Sequence, residues 1–77
     1  MSDIVLISIT GRDRKGLDAK FTQILAAYNV NILDIGQAVI HEHISLGILA
    51  EIPNSDHFSS IFKDMLFEGH NMGLRVS

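Results

Sequence analysis

Residues 30–52 read VNILDIGQAVIHEHISLGILAEI, two apolar runs joined by a short polar stretch. Val30–Ile40 and Ile44–Ile52 are rich in β-branched residues, so each run predicts a strand. The polar residues around Glu42 predict the turn between the two strands, and Gly36 predicts a bulge or a close approach within the first of them. The segment therefore predicts two consecutive strands at the centre of the fold.

A helical pattern lies on each side of these two strands. Before them, apolar residues recur at helical spacing from Leu17 onwards, and Asn29 is suited to end that helix because Asn tolerates positive φ. After them, Pro53-Asn54-Ser55 ends the strand and offers a helix N-cap, and Gly69 is expected to close the second helix. The two apolar faces are Leu17, Phe21, Ile24, Leu25 and Tyr28 in the first helix, and Phe58, Ile61, Phe62, Met65 and Leu66 in the second.

Two further extended segments complete the order of elements. Ile4–Ile9 is a nearly continuous apolar run that predicts a strand buried on both faces, and Met72–Ser77 begins another extended segment. The order β-α-β-β-α-β, with right-handed crossovers, predicts an α+β ferredoxin-like sandwich in which a four-stranded antiparallel sheet carries both helices on one face. Because the uncovered face of this sheet is also apolar, we expect a partner to cover it.

Length and composition limit the class of protein. Seventy-seven residues allow a single domain, 1–77, and with 47% hydrophobic residues so small a domain cannot hide all its apolar surface. The sequence has no cysteine, which excludes disulfides and thiolate chemistry. Its net charge of -3 provides no basic surface for nucleic acid or for an anionic membrane. Since it also shows no signal peptide and no membrane span, we expect a cytoplasmic protein.

The loop between the first strand and the first helix carries the residues best suited to a ligand. It reads GRDRKG at residues 11–16 and joins a strand end to a helix start, where backbone N–H groups and the helix dipole favour a carboxylate or phosphate. Arg12, Arg14 and Lys15 add positive charge, and Asp13 could pair with an ammonium group. Both signs of charge together suit an amino acid zwitterion; the plainer alternative is a solvated charged turn.

Other polar residues give weaker signals. Asn31 could supply an amide to the same ligand or could be only a turn residue. His41 and His43 would lie on one face of a strand, but two histidines without a third ligand do not make a metal site. The sequence has no nucleophile elbow, no Asp-x-Asp pair and neither of the glycine motifs that bind dinucleotides and nucleotides. We therefore expect a non-catalytic chain with no metal or cofactor of its own.

These residues together resemble the ACT domain family. GRDRKGL at residues 11–17 and VNI at residues 30–32 are similar to the family's D-R-P-G-L loop and G-V-N-I strand entry, and the resemblance covers the whole chain. Residues 30–51 are more specifically similar to the N-terminal ACT region of bacterial phosphoserine phosphatases, where N-I-L-D-I-G-Q-A-V-I-H followed by L-S-L-G is characteristic. Lys15 and Asn29 depart from the family pattern, which has proline and glycine at these positions.

The resemblance implies a non-catalytic regulatory domain that binds a small amino acid such as serine between two copies. The first loop of one copy would face the second-strand region of the other, so the partner is another copy or a neighbouring ACT domain. By position, the resemblance implies that Asp13, Gly16 and Asn31 contact the amino acid and that Arg14 and Leu17 shape the pocket.

The resemblance also implies a parent enzyme of L-serine biosynthesis. That enzyme would be a Mg-dependent phosphoserine phosphatase of the haloacid dehalogenase type, with its catalytic domain beyond Ser77. The last strand stops at Ser77 with no turn after it, which likewise predicts the N-terminal fragment of a longer enzyme with its last strand truncated.

Three other functions remain open at the level of the sequence. A purely structural dimerisation module would bind no ligand. An RNA-recognition module shares the order of elements but needs aromatic residues in its third strand, and Ile44–Ile52 has none. An acylphosphatase-like enzyme would use Arg12 or Arg14 to hold a phosphate, within a loop of different sequence.

Overall fold

The computed structural model describes residues 3–53 and 58–77. Its elements are β1 (Asp3–Arg12), α1 (Leu17–Ala27), β2 (Asn31–Ile40), β3 (His43–Ile52), α2 (Phe58–Asn71) and β4 (Arg75–Val76). The sheet has the strand order β2-β3-β1-β4, and every strand pair in it is antiparallel. The predicted ferredoxin-like βαββαβ fold is therefore confirmed.

Helix α1 forms where the apolar spacing predicts it. Leu17, Phe21 and Leu25 recur every four residues, and all three are buried. Gly16 precedes the helix in the left-handed conformation, with φ +79°. Asn29 follows it with φ +58°, which confirms its predicted role as the left-handed stop.

The core lies between the two helices and one face of the sheet. Alternate residues of β3 point into it, and Ile7 and Ile9 of β1 pair with two of them in register. Ile61 and Met65 contribute from α2. The buried residues of β3 are Ile44, Leu46, Ile48, Ala50 and Ile52, each at most 3% exposed.

The prediction that the first strand is buried on both faces is wrong. Ile4 and Leu6 are 63% and 64% exposed, whereas Ile7 and Ile9 are buried. Successive side chains of a strand point to opposite faces of the sheet, and the helices cover only one of these faces. The other face, which we call the open face, stays exposed in a single chain.

The bulge in β2 lies three residues earlier than predicted. Gly36 pairs regularly with Gly47, while the register shifts between Ile32 and Asp34. Leu33 is therefore the additional residue of the bulge. A glycine in a strand is compatible with a bulge but does not require one, and here it leaves open space above the sheet.

The prediction that Gly69 ends the second helix is also wrong. Helix α2 continues to Asn71, and Gly73, with φ +71°, turns the chain towards β4. Gly69 is needed for packing, because a Cβ atom there would lie 2.6 Å from Cγ2 of Val76. The predicted N-cap at residues 54–55 lies outside the described residues. Neither helix in the described part of the chain is long and apolar enough to cross a membrane.

Candidate functional site

The predicted ligand loop lies beside the β2–β3 turn, at the end of the sheet where β1 finishes. The backbone N–H of Asp13 donates to the carbonyl oxygen of Glu42 at 2.7 Å. The guanidinium of Arg12 contacts the carboxylate of Glu42 at 3.1 Å, but both side chains are 78% exposed. An ion pair this exposed stabilises the fold by at most about 1 kcal/mol, so the backbone hydrogen bond is the stronger constraint on the loop.

The loop packs against the α2–β4 turn on its other side. Gly11 has φ +152°, and a Cβ atom there would come within 2.7 Å of Cδ2 of Leu74. Nη1 of Arg14 donates to the carbonyl oxygen of Met72 over 3.4 Å, a long hydrogen bond. Gly11 is therefore required by a close approach between the end of β1 and the α2–β4 turn.

Gly16 and Leu17 form the entry into α1. Gly16 is exposed and has no side chain that could cap the helix, and the N–H of Leu17 donates to the carbonyl oxygen of Arg14 at 3.3 Å. Leu17 is part of the core cluster, so it anchors the end of the loop to the core. Asp18 adds a negative charge in the same turn, where its carboxylate accepts a hydrogen bond from the N–H of Ala19 at 2.9 Å. The loop therefore carries both signs of charge around exposed backbone.

Asn31 lies at the opposite end of the sheet. Its register partner is Glu51, and Glu51 in turn pairs with Ile4 near the start of β1. About 26 Å of extended strand separates Ile4 from Arg12, where the loop begins. Within one chain the fold brings Asp13, Arg14, Gly16 and Leu17 together but leaves Asn31 far from them. The Asn31 amide donates instead to the Glu51 carboxylate at 3.4 Å.

Strand β2 is an edge of the sheet. It pairs with β3 on one side, and no described strand lies on its other side. Apolar side chains along it are partly exposed, among them Leu33, Ile35 and Val39. A long, apolar edge with free N–H and C=O groups is a template for another strand.

One contact between the helices was not foreseen from the sequence. The hydroxyl of Tyr28 at the end of α1 donates to the carboxylate of Asp64 in α2 at 2.5 Å. This hydrogen bond, followed by desolvation and the charge of Asp64, raises the pKa of Tyr28 above its ordinary value. Helical spacing assigns Tyr28 to the apolar face of α1, and no local signal links it to a residue so distant in sequence.

The two histidines of the hairpin do not lie on the same strand. His41 lies in the turn with φ +54°, and only His43 belongs to β3. Within residues 3–53 and 58–77, no three His, Cys, Asp or Glu side chains are grouped so that they could hold a metal ion. The fold and the loop, rather than a metal centre, define the candidate site.

Comparison with known families agrees with this fold. The sequence profile of the ACT domain family matches residues 3–77. A solved ACT domain protein from Streptococcus pneumoniae superimposes on 96% of this chain and 84% of its own, with a TM-score of 0.82 and 20% identity. The chain belongs to the ACT domain family. ACT domains are non-catalytic modules that commonly bind small amino-acid effectors and oligomerise.

Two curated relatives are similar to nearly the whole of this chain, but the share of their own length that the similarity covers is very different. A UPF0237 protein of Methanosarcina mazei is 35% identical over 72 residues, which cover 92% of this chain and 78% of the relative. The phosphoserine phosphatase SerB2 of Mycobacterium tuberculosis is 31% identical over 74 residues, which cover 95% of this chain but only 18% of the enzyme. The similarity thus covers about four fifths of one relative and about one fifth of the other.

Proposed function

We propose that this chain is a regulatory ACT domain that binds a small amino acid, serine or a close analogue, between two copies. One observation carries the proposal: the residues suited to the ligand lie at opposite ends of the sheet. Asn31 lies in the same cross-strand row as Ile4, which is about 26 Å along β1 from Arg12, the residue before Asp13. A single chain therefore cannot place Asp13, Gly16 and Asn31 around one small molecule, and a second copy can.

Pairing through the exposed edge of β2 would bring Asn31 of one copy to the same end of the sheet as Asp13 and Gly16 of the other. Pairing of two β2 strands about a two-fold axis perpendicular to the sheet reverses the direction of the second copy. Asn31 of the second copy then lies at the end of the sheet where Asp13 of the first is found. The partly exposed Ile35 and Val39 are covered by the same pairing, and the free backbone groups of the edge are satisfied.

Each group of a zwitterionic amino acid then has a chemically complementary partner. The backbone at Gly16, at the positive end of α1, suits the carboxylate. The carboxylate of Asp13 suits the ammonium group, and the amide of Asn31 can hydrogen-bond a short polar side chain. Arg14 borders the loop, and Leu17 holds it in place from the core.

The parent protein in this proposal is a phosphoserine phosphatase of L-serine biosynthesis, in which the domain senses the product. The similarity to SerB2 of Mycobacterium tuberculosis supports this parent, together with the string NILDIGQAVIH at residues 31–41. In such a parent, Mg²⁺ would be held by the catalytic domain and not by the ACT domain. A D-x-D-x-T motif after Ser77 is expected, and a continuation without it would exclude this parent.

Isothermal titration calorimetry with L-serine tests the ligand. We expect saturable binding by the unmodified protein, and a loss of affinity of about 10- to 100-fold in Asp13→Asn, because a charge-assisted hydrogen bond contributes about 1.5–3 kcal/mol. Asp3→Asn is the matched control, since Asp3 lies at the far end of β1 and should leave the affinity unchanged. Equal affinity of all three proteins would contradict the proposed site.

A second function, a dimerisation module without a ligand, is favoured by one specific observation. Arg12 and Arg14 are already engaged by Glu42 and by the carbonyl oxygen of Met72. Such a module would form a stable dimer that no amino acid stabilises further. A thermal-shift series over the amino acids, with the oligomer measured in parallel by sedimentation, separates the two functions: a dimer that responds to none of them supports this alternative.

A further inference from the structure

The outer edge of β1 is covered over only part of its length. Strand β4 pairs with Ile9 and Thr10, and Ser77 exchanges two backbone hydrogen bonds of 2.9 Å with Ser8. On its other side, β1 pairs with β3 along its whole length. No described strand lies beside residues 3–7 on the β4 side. About half of this edge is therefore open.

The backbone groups of the open half point to the empty side. In an antiparallel ladder, alternate residues direct both their N–H and their C=O group to the same side of the strand. Ser8 directs both groups to the β4 side, so Leu6 and Ile4 do the same, and no described residue there pairs with them. The edge thus offers two donors and two acceptors to an extended segment, in line with the existing ladder.

An apolar hollow lies against the same part of β1. Its volume is about 380 Å³, and its lining residues are Asp3, Ile4, Val5, Ile52 and Phe58. Phe58, the first residue of α2, is 39% exposed and stacks on Phe62 with ring centroids 5.9 Å apart. Since four of the five lining side chains are apolar, the hollow suits an apolar side chain, with a polar or basic group near Asp3.

The register of β4 determines where a continuing strand would lie. Ser77 is opposite Ser8, so the second and fourth residues after Ser77 would lie opposite Leu6 and Ile4. Each of these two pairs would exchange two hydrogen bonds, because both directions are free at Leu6 and at Ile4. A continuation of only five residues would therefore complete the edge.

Side-chain alternation determines which residues of such a strand would fill the hollow. Val76 is buried, so the first, third and fifth residues after Ser77 would point to the helix side as well. The third would lie opposite Val5 and the fifth opposite Asp3, and both of these residues line the hollow. We expect apolar residues at the first and third positions, and a basic residue at the fifth to pair with Asp3.

We propose that the residues following Ser77 in the parent enzyme continue β4 along residues 3–7 of β1 and fill the hollow at Phe58. This strand requires the parent protein of the proposed function, but not the binding of serine. A segment of the same chain is the occupant because the ladder already reaches Ser77 in the required direction and register. A separate peptide would lose its translational freedom for the same four hydrogen bonds, whereas an attached segment does not.

A continued β4 determines where the chain leaves the sheet. Its end lies in the cross-strand row of Ile4, Glu51 and Asn31, three strand spacings or about 14 Å from β2. In the β2-paired dimer, the same end of the sheet carries the Asp13 loop of the other copy. The linker to the catalytic domain therefore starts at the end of the sheet where the amino acid binds.

Amide hydrogen exchange followed by NMR tests the continued strand. The chain ending at Ser77 is compared with the same chain lengthened by the first few residues that follow it in the parent gene. In the shorter protein, the N–H groups of Leu6 and Ile4 should exchange freely, while those of Val5 and Ile7, which point to β3, are protected. In the longer protein, exchange at Leu6 and Ile4 should slow by about 10-fold or more. Unchanged exchange rates, or a gene that stops at Ser77, would overturn the proposal.

The aromatic wall of the hollow provides a second test. Phe58→Ala should lower the melting temperature of the longer protein by about 4–8 °C more than that of the shorter one, because only the longer protein packs a side chain against this ring. Phe67→Ala is the matched control, since Phe67 is 67% exposed in α2 and does not line the hollow. It should have the same effect in both proteins. Equal effects of Phe58→Ala in the two proteins would contradict the filling of the hollow.

These measurements separate the continued strand from the ligand site. Leu6, Ile4 and Phe58 take no part in the proposed contacts with serine, so calorimetry gives an independent result. Slow exchange at Leu6 and Ile4 without serine binding contradicts only the ligand site, and serine binding without slow exchange contradicts only the continued strand. A gene that stops at Ser77 would exclude the parent enzyme together with the strand, and would leave the ligand site unaffected.

Discussion

Strand β1 carries large apolar side chains on both of its faces, and these side chains have opposite fates. Ile7 and Ile9 point towards the helices and are buried, while Ile4 and Leu6 point to the other side and are mostly exposed. Hydrophobicity by itself therefore does not decide which side of this strand forms the core. The two helices decide it, because both crossovers put them on the same side of the sheet.

The largest effect on stability is expected from removing a buried leucine, and it can be compared with the removal of an exposed leucine on the open face. Leu46→Ala deletes a buried side chain of β3 and should lower the free energy of unfolding by about 2–5 kcal/mol, a large part of the stability of so small a domain. Leu6→Ala should change it by less than about 0.5 kcal/mol in dilute solution. Urea denaturation at low protein concentration checks both values. Similar losses would mean that the open face is already buried in the monomer.

Replacing a glycine by alanine tests how much space lies next to the backbone on the helix side of the sheet and on the open face. Gly69→Ala would place a Cβ atom 2.6 Å from Cγ2 of Val76. Overpacking of this kind costs about 1–3 kcal/mol, more than the gain of about 0.5–1 kcal/mol for alanine in a helix. Gly36→Ala meets no atom within 4 Å, so it should be neutral within about 0.5 kcal/mol. Thermal unfolding of the two variants gives the comparison; a stabilised Gly69→Ala would contradict the close approach of α2 and β4.

The smallest effect on stability is expected from removing the hydrogen bond between the Tyr28 hydroxyl and the Asp64 carboxylate, which joins the two helices outside the core. The folded state raises the pKa of Tyr28 above its unfolded value of about 10, because the hydrogen bond favours the neutral phenol. The stabilisation is then fully present below pH 10 and is lost as the pH rises through the folded pKa. Tyr28→Phe should be slightly less stable than the unmodified protein at neutral pH, and the difference should disappear in alkaline solution. A difference that persists there would contradict the hydrogen bond as its source.

Local signals predicted much of the fold. The period of apolar residues located both helices, and Asn29 marked the end of the first because few residues tolerate its positive φ. Two glycines gave false signals: Gly36 lies in a regular pair and Gly69 lies inside a helix. Some glycines are required for their φ and others for the space they leave, and the sequence does not distinguish these two reasons.

The candidate site was only partly predictable. Asp13, Arg14, Gly16 and Leu17 are neighbours in the sequence, so their proximity follows from one loop. Asn31 is joined to them only through α1, which returns the chain to the opposite end of the sheet. The need for a second copy follows from that distance rather than from any residue in the loop.

The sequence by itself determined the order of elements and the residues that each element could bury, because both depend on local periods of two and of 3.6 residues. Only the tertiary structure decided which face of β1 lies in the core, and that Gly36 and Gly47 lie side by side on the other face. These properties depend on strand register and on the side where the helices pack. Both are set by contacts between residues far apart in the chain.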